Sequence, residues 1–282
     1  MKYSQRPKYE RRNETIAVLV MILLCIPVLF IYFSFFANAF ILDSTGELTL
    51  QNFQFLYQPI QLSQYTVEPI GKAFRNTVIF TAIATTLEVT ISCMAGYALA
   101  RMEFTGKRLI SFSLLTLRLF PGVLLLIGVL YVLLHLGILN TLTGVIVVAI
   151  ALRLPGSTFI IRNFFAGIPQ DIENSALVDG CNRLTAFFQV IIHMVKPGLA
   201  SISIFAFMSA WSNYLLFNVL IFNTKTPVLA TYLRVLSRND QMIADYGVFA
   251  AMAMVYMLPV LIFFFISQRQ LMQGTISGGK GI

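Results

Sequence analysis

The chain has 282 residues, 57% of them hydrophobic and only 11% charged, where an ordinary globular protein carries about 25% charged residues. So few charges cannot cover a surface that faces water, which excludes a soluble domain and sets apolar side chains against lipid. The net charge of +8 is spread through the segments between apolar runs, which points to membrane topology and not to nucleic acid.

The basic N-terminus MKYSQRPKYERRNET leads into an apolar run at 16–41. That run is too long for the core of a cleaved signal and no small-residue cleavage site follows it, so it reads as an uncleaved first membrane helix. Five more runs follow, at 74–100, 109–135, 142–164, 198–222 and 246–267. Each is long enough to cross the hydrocarbon, where backbone groups must bond within the segment and the chain is therefore helical. Pro27, Pro121, Pro155 and Pro259 fall inside these runs, and proline is tolerated in a membrane helix when neighbouring helices satisfy the freed carbonyl.

With a cytoplasmic N-terminus, the inner segments 1–15, 101–108, 165–197 and 268–282 hold twelve of the twenty Lys and Arg residues. The outer segments 42–73, 136–141 and 223–245 hold four: Lys72, Lys225, Arg234 and Arg238. This asymmetry predicts both termini inside, and it divides the chain into a cytoplasmic N-terminus (1–15), a six-helix domain (16–267) and a cytoplasmic tail (268–282). Cys25, Cys93 and Cys181 are scattered, with neither a disulfide framework nor metal-ligand spacing. His135 and His193 lie near membrane boundaries without metal-spaced companions, so no metal site is expected. No inverted repeat of the secondary-transporter kind is visible.

The inner segment 165–197 is too polar in its first half to span. Pro169 stands where a helix can begin, and Asp171 and Glu173 fall in its first turn, where the helix dipole favours acids. Ile172 and Ala176 share a face, with Leu177 beside it, and Gly180 follows Asp179 as a helix stop. A second short helix is predicted from Asn182 to Met194, ended by Pro197. The first half of the segment, the helix before Gly180, offers a small apolar patch rimmed by charge, suited to docking a soluble partner.

These residues carry a resemblance. Asn174, Ser175 and Ala176, followed after three residues by Gly180, are similar to the E-A-A-x-x-x-G loop of ATP-binding-cassette importer permeases. Asp179-Gly180, Phe187 and Pro197 match the extension found in the carbohydrate-uptake branch. Asn174 replaces the motif's glutamate, with Glu173 one residue earlier, and His193 stands where the branch has a proline. GYALARMEFTGKR at 96–108, LGILNTLTG at 136–144, FMSAWSNYLLF at 207–217 and QRQLMQGTISGGKG at 268–281 resemble further segments of that branch, in particular of the subunit akin to the second maltose-type permease.

The resemblance implies an all-α membrane protein with the type I importer permease fold: six transmembrane helices and a cytoplasmic coupling-helix loop. It implies ATPase coupling through Glu173, Asn174, Ser175, Ala176, Leu177, Asp179 and Gly180. The implied partners are a second, homologous permease, an ATPase dimer on the cytoplasmic side, and an extracytoplasmic solute-binding protein that delivers a sugar, all at a bacterial cytoplasmic membrane. No cofactor is expected in this chain; ATP and Mg belong to the partner ATPase. Independently, no G-x-x-x-x-G-K-[ST] is present, and no nucleophile–base pair lies at a membrane face, so the chain is not read as an enzyme. A secondary transporter, or a permease of the same fold for another small solute, are the alternatives.

Charges within membrane helices are functional candidates. At 1.5 Å rise per residue, Glu88, Arg118 and Arg153 lie at similar depth, about 15–18 Å from the inner edge. The hairpin through 101–108 makes the second and third helices neighbours and predicts a Glu88–Arg118 pair, leaving Arg153 to line the pathway and meet an anionic substrate such as a uronate or an acidic sugar; a purely structural pair is the other reading. Trp211, Asn213 and Tyr214 either stack on and bond a sugar or pack between helices.

Overall fold

The computed structural model describes residues 8–42, 45–62, 65–222, 226–237 and 246–278. Lys2, Arg6, Lys225, Arg238 and Lys280, used in the charge count, lie outside them. The chain divides into two units, Met1–Pro69 with Leu236–Tyr256, and Ile70–Val235 with Met257–Ile282.

In the first unit, helix α1 (Lys8–Ala39) passes through Pro27 unbroken. Its carbonyl end is closed by Asn52, itself buried, whose Nδ2 donates to the carbonyls of Ala39 (3.2 Å) and Ile41 (2.8 Å). A helix end leaves its last carbonyls without partners, and one amide here serves two of the groups around it. The segment 42–73 holds a short 3-10 helix, Gln51–Leu56, and a hairpin of β1 (Ile60–Leu62) and β2 (Tyr65–Val67) with Ile60 opposite Val67.

The second unit is built on α2 (Gly71–Arg101) and α5 (Leu142–Ala166). They pack closely because Gly96 carries no side chain: a Cβ there would lie 2.5 Å from Ile161 Cγ2, the small-residue contact by which membrane helices approach. One apolar cluster holds Phe80, Leu126, Val145 and Phe217, with the Phe80 and Phe217 rings edge to face at 4.8 Å. Another holds Tyr97, Ile161, Phe165, Phe187 and Ile202.

Among the described residues, four helical stretches are long and apolar enough to span a membrane, and up to six spans result when each of two bent pairs counts as one. The first pair corrects an expectation. The run 109–135 is not one helix but α3 (Lys107–Leu117) and α4 (Gly122–His135), bent by 108°. Pro121 has no N–H to give the preceding turn and forces Phe120 out of helical conformation, whereas Pro155 and Pro259 sit inside continuous helices.

The inner loop forms α6 (Gln170–Val178), followed by a composite in place of the single second helix: α7 (Arg183–Ala186), a π-helical turn at Phe187–Ile191 and α8 (Ile192–Met194). Asn182 caps it, its Oδ1 accepting from Thr185 N at 2.8 Å. This composite meets α9 (Lys196–Trp211) at a 79° bend, with Pro197 in the first turn of α9. The run 198–222 is likewise interrupted: α9 stops at Trp211, and Asn213 caps a new helix, α10 (Tyr214–Leu220), by accepting from Leu216 N at 3.3 Å. Then come α11 (Leu229–Ser237) and α12 (Tyr246–Gly278), which continues beyond the apolar stretch ending at 267.

Candidate functional site

The inner loop takes its form from its two ends. Pro169, extended at ψ 136°, precedes α6, and Asp171 and Glu173 occupy its first turn. Asp179 closes the helix and Gly180 turns the chain with φ +91°. A Cβ on Gly180 would meet nothing within 4 Å, so glycine is required for the left-handed conformation and not for space.

Between these ends the side chains divide. Asn174, Ser175, Val178 and Asp179 are exposed, Ile172 and Leu177 are half-buried, and Glu173 and Ala176 are buried. Of the seven residues expected at the coupling surface, Glu173 and Ala176 therefore point into the protein. Glu173 Oε1 accepts a 2.7 Å hydrogen bond from the Tyr97 hydroxyl, and Arg101 Nε stands 3.7 Å from its Oε2. The Arg101 and Glu173 side chains are 5% and 6% exposed. Arg101 also donates to the carbonyls of Phe165 (2.7 Å) and Ile168. One guanidinium thus joins the end of α2, the end of α5 and α6.

Tyr97 and Arg101 were not singled out by the sequence reading. Their spacing of four on a helix ending at the inner membrane edge is the signal that could have found them.

The second constellation lies within the membrane segments. Glu88 on α2 is buried; its Oε1 accepts from Ser157 Oγ at 2.6 Å and its Oε2 lies 3.8 Å from Arg153. Arg153 and Ser157 are four residues apart on α5 and so face α2 together. Arg153 also donates to the carbonyls of Ala206 (3.3 Å) and Ser209 (2.5 Å) on α9. The expected Glu88–Arg118 pair is thus corrected: the partner of Glu88 is Arg153. The cause is the break after α3, which turns the chain at 118–121, while α2 and α5 run side by side. Arg118 instead lies over the Phe159 ring, 5.6 Å from its centre, a cation–π contact. The three charges do converge, lining with Ser157, Phe120 and Phe205 a cavity of about 360 Å³.

Trp211, Asn213 and Tyr214 do not line that cavity. Trp211 is buried, edge-on to Phe74 at 6.3 Å and stacked on Phe207 at 5.8 Å, and Phe207 stacks in turn on Phe263 at 4.0 Å. Asn213 is occupied as a helix cap. Tyr214 bonds Asn218 at 3.2 Å and carries the Arg234 guanidinium 5.4 Å above its ring.

Comparison with known proteins gives this geometry its context. Residues 89–276 match the model of the family described as binding-protein-dependent transport system inner membrane component. The diacetylchitobiose uptake system permease protein NgcG of Streptomyces coelicolor is 32% identical over 271 residues, 95% of this chain and 87% of its own. The sulfoquinovosyl glycerol transport system permease protein SmoH of Agrobacterium fabrum is 30% identical over 84% of each chain. A solved bacterial importer of the acidic polysaccharide alginate matches with a TM-score of 0.76 over 94% of this chain and 98% of that one, at 18% identity, which establishes the shared fold. The chain belongs to the binding-protein-dependent transport system inner membrane components, with the type I fold of ATP-binding-cassette importer permeases, a family of non-catalytic membrane subunits whose ATPase is a separate protein.

Proposed function

We propose that this chain is one of two related permease subunits of an ATP-driven importer of a sugar or oligosaccharide. The observation that carries the reading is the two-sided α6: an outward face of Asn174, Ser175, Val178 and Asp179, and an inward carboxylate, Glu173, tied to Tyr97 and Arg101. An ATPase dimer holding ATP and Mg docks on the outward face of this helix and of its counterpart in the second permease. Movement of the docked helix passes through Glu173 and Arg101 to α2 and α5. Those two helices also carry Glu88, Ser157 and Arg153 at the cavity, so the docking helix and the pathway share one pair of rigid elements.

An extracytoplasmic solute-binding protein delivers the substrate at the opposite face. The sugar class is supported by the names of the relatives, a diacetylchitobiose permease and a sulfoquinovosyl glycerol permease. The orientation, both termini in the cytoplasm, rests on the twelve-to-four excess of basic residues in the inner segments. A secondary transporter would need no docking helix of this kind.

The test is purification of the tagged chain from its native membrane. Co-purification of a second permease and an ATPase, with hydrolysis stimulated by a sugar-loaded binding protein, is the expected result. A chain that purifies alone and accumulates sugar without ATP would overturn it.

A further inference from the structure

We propose that Arg118 is a recognition group for acidic saccharides, receiving a uronate carboxylate or a sulfonate in the cavity between α3, α5 and α9. This rests on the importer reading above and names the substrate class of that pathway.

The reasoning begins with the balance of charge. Two guanidiniums and one carboxylate line the cavity. Both oxygens of Glu88 are occupied, one by Ser157 and one by Arg153. Arg153 is further held by two α9 carbonyls, so it is half-buried and fixed in place. Arg118 is exposed, and among the described residues its recorded contact is with the face of Phe159. A cation at this depth needs water, an acid or an anionic ligand. The cavity therefore carries one positive charge in excess, and that charge sits on the side chain with room to move.

The backbone supplies an independent observation. Residues 118–121, between α3 and α4, are not helical, yet they lie within a run otherwise apolar enough to span. Irregular backbone at membrane depth is stable where it is buried in protein or lines a water-filled cavity. Leu119 is 82% exposed, so the break is not buried in this chain, and Phe120 beside it lines the cavity. Arg118 is the first residue of that break.

The lining suits a saccharide. Phe120 and Phe205 offer apolar surface to sugar rings, while Ser209 and Arg153 offer polar atoms. The volume of about 360 Å³ falls within the range of small-ligand sites. A planar guanidinium meets two oxygens of a carboxylate or sulfonate at once, a geometry that a neutral hydroxyl does not reproduce.

The test uses the whole importer, with its second permease, ATPase and binding protein, in proteoliposomes containing ATP. The probes are labelled digalacturonate, an alginate trisaccharide and sulfoquinovosyl glycerol, beside cellobiose, maltose and diacetylchitobiose. Wild type is expected to import at least one acidic probe. Arg118→Gln should lower that import about tenfold or more, as expected for loss of a charge-assisted hydrogen bond, with the second permease co-purifying in wild-type yield. Arg118→Lys, keeping the charge, should recover part of it.

Import of neutral probes alone, equal in wild type and Arg118→Gln, overturns the proposal and leaves the importer reading standing. Loss of the second permease from Arg118→Gln preparations also overturns it, by assigning the cation to a partner carboxylate. Wild type that imports no acidic probe overturns the proposal, whereas the importer reading falls only if the second permease and the ATPase fail to co-purify.

Discussion

Glu173 on the inner loop accepts a hydrogen bond from the hydroxyl of Tyr97, a residue 76 positions earlier and at the far end of another helix. The carboxylate is almost fully withdrawn from solvent and the nearest positive charge, on Arg101, is 3.7 Å away. This contact is short, specific and open to single-atom tests.

Tyr97→Phe removes one hydroxyl and leaves the carboxylate oxygen without its donor, a loss of about 1–3 kcal/mol. Glu173→Ala leaves the buried Arg101 without its carboxylate, and breaking a buried pair in this way costs about 3–5 kcal/mol. The expected result is graded: Tyr97→Phe assembles but hydrolyses more ATP per sugar imported, while Glu173→Ala lowers the melting temperature of the purified complex. An unchanged ratio of ATP to sugar in Tyr97→Phe would leave the contact without a coupling role.

Gly180 turns the chain at φ +91°, and a Cβ there meets nothing within 4 Å, so the cost of Gly180→Leu is backbone strain of about 1–2 kcal/mol. That variant, and Asp179→Arg on the exposed rim, should reach the membrane in normal amount and lose ATPase stimulation by the loaded binding protein. Full transport by a purified Gly180→Leu complex would count against the loop as the coupling element.

The buried Glu88 should respond to its true partner. Glu88→Gln leaves Arg153 without its counter-charge, again a loss of about 3–5 kcal/mol, and adding Arg153→Gln should restore part of it. Adding Arg118→Gln instead should restore none. The check is a double-mutant cycle on the thermal stability of the detergent-solubilised complex; equal rescue by both arginine changes would dissolve the pairing.

Topology is open to labelling in intact cells, with Cys25, Cys93 and Cys181 replaced by serine. Cysteines at positions 50 and 230 should react with an impermeant maleimide, while those at 5 and 278 should react only after the membrane is opened. Reaction at 278 from outside would reverse the assigned orientation.

Much of this arrangement is legible in the sequence, because hydropathy and turn chemistry are local. The apolar runs locate the membrane segments, and Pro169 and Gly180 bracket α6, one residue before its start and two after its end. What depends on neighbours is not legible. Pro121 and Pro155 look alike in the chain, yet one breaks its helix and the other does not, since the outcome turns on what packs against the freed carbonyl. The partner of Glu88 follows from the close approach of α2 and α5 at Gly96, whereas the loop through 101–108 suggests α3.

The direction of Glu173 was equally hidden. Successive helical residues differ by about 100° in heading, enough to place Glu173 inside and Asn174 outside. A motif that names the position of an acid says nothing of which way it points. Tyr97 and Arg101 escaped notice because an aromatic and a basic residue at a membrane edge also read as interfacial anchors.

Along α1, the apolar stretch from Thr15 to Ala39 buries none of its most hydrophobic window against its own chain, yet Asn52 grips the carbonyls at its C-terminal end. The two parts of this helix are therefore under different kinds of constraint. In a saturation scan, positions 16–31 should accept any substitution that keeps the stretch greasy enough to insert, whereas Asn52, a small polar residue outside the helix, should accept almost none. The tolerance map of this element would be nearly blank along its length and sharp at a single point beyond its end.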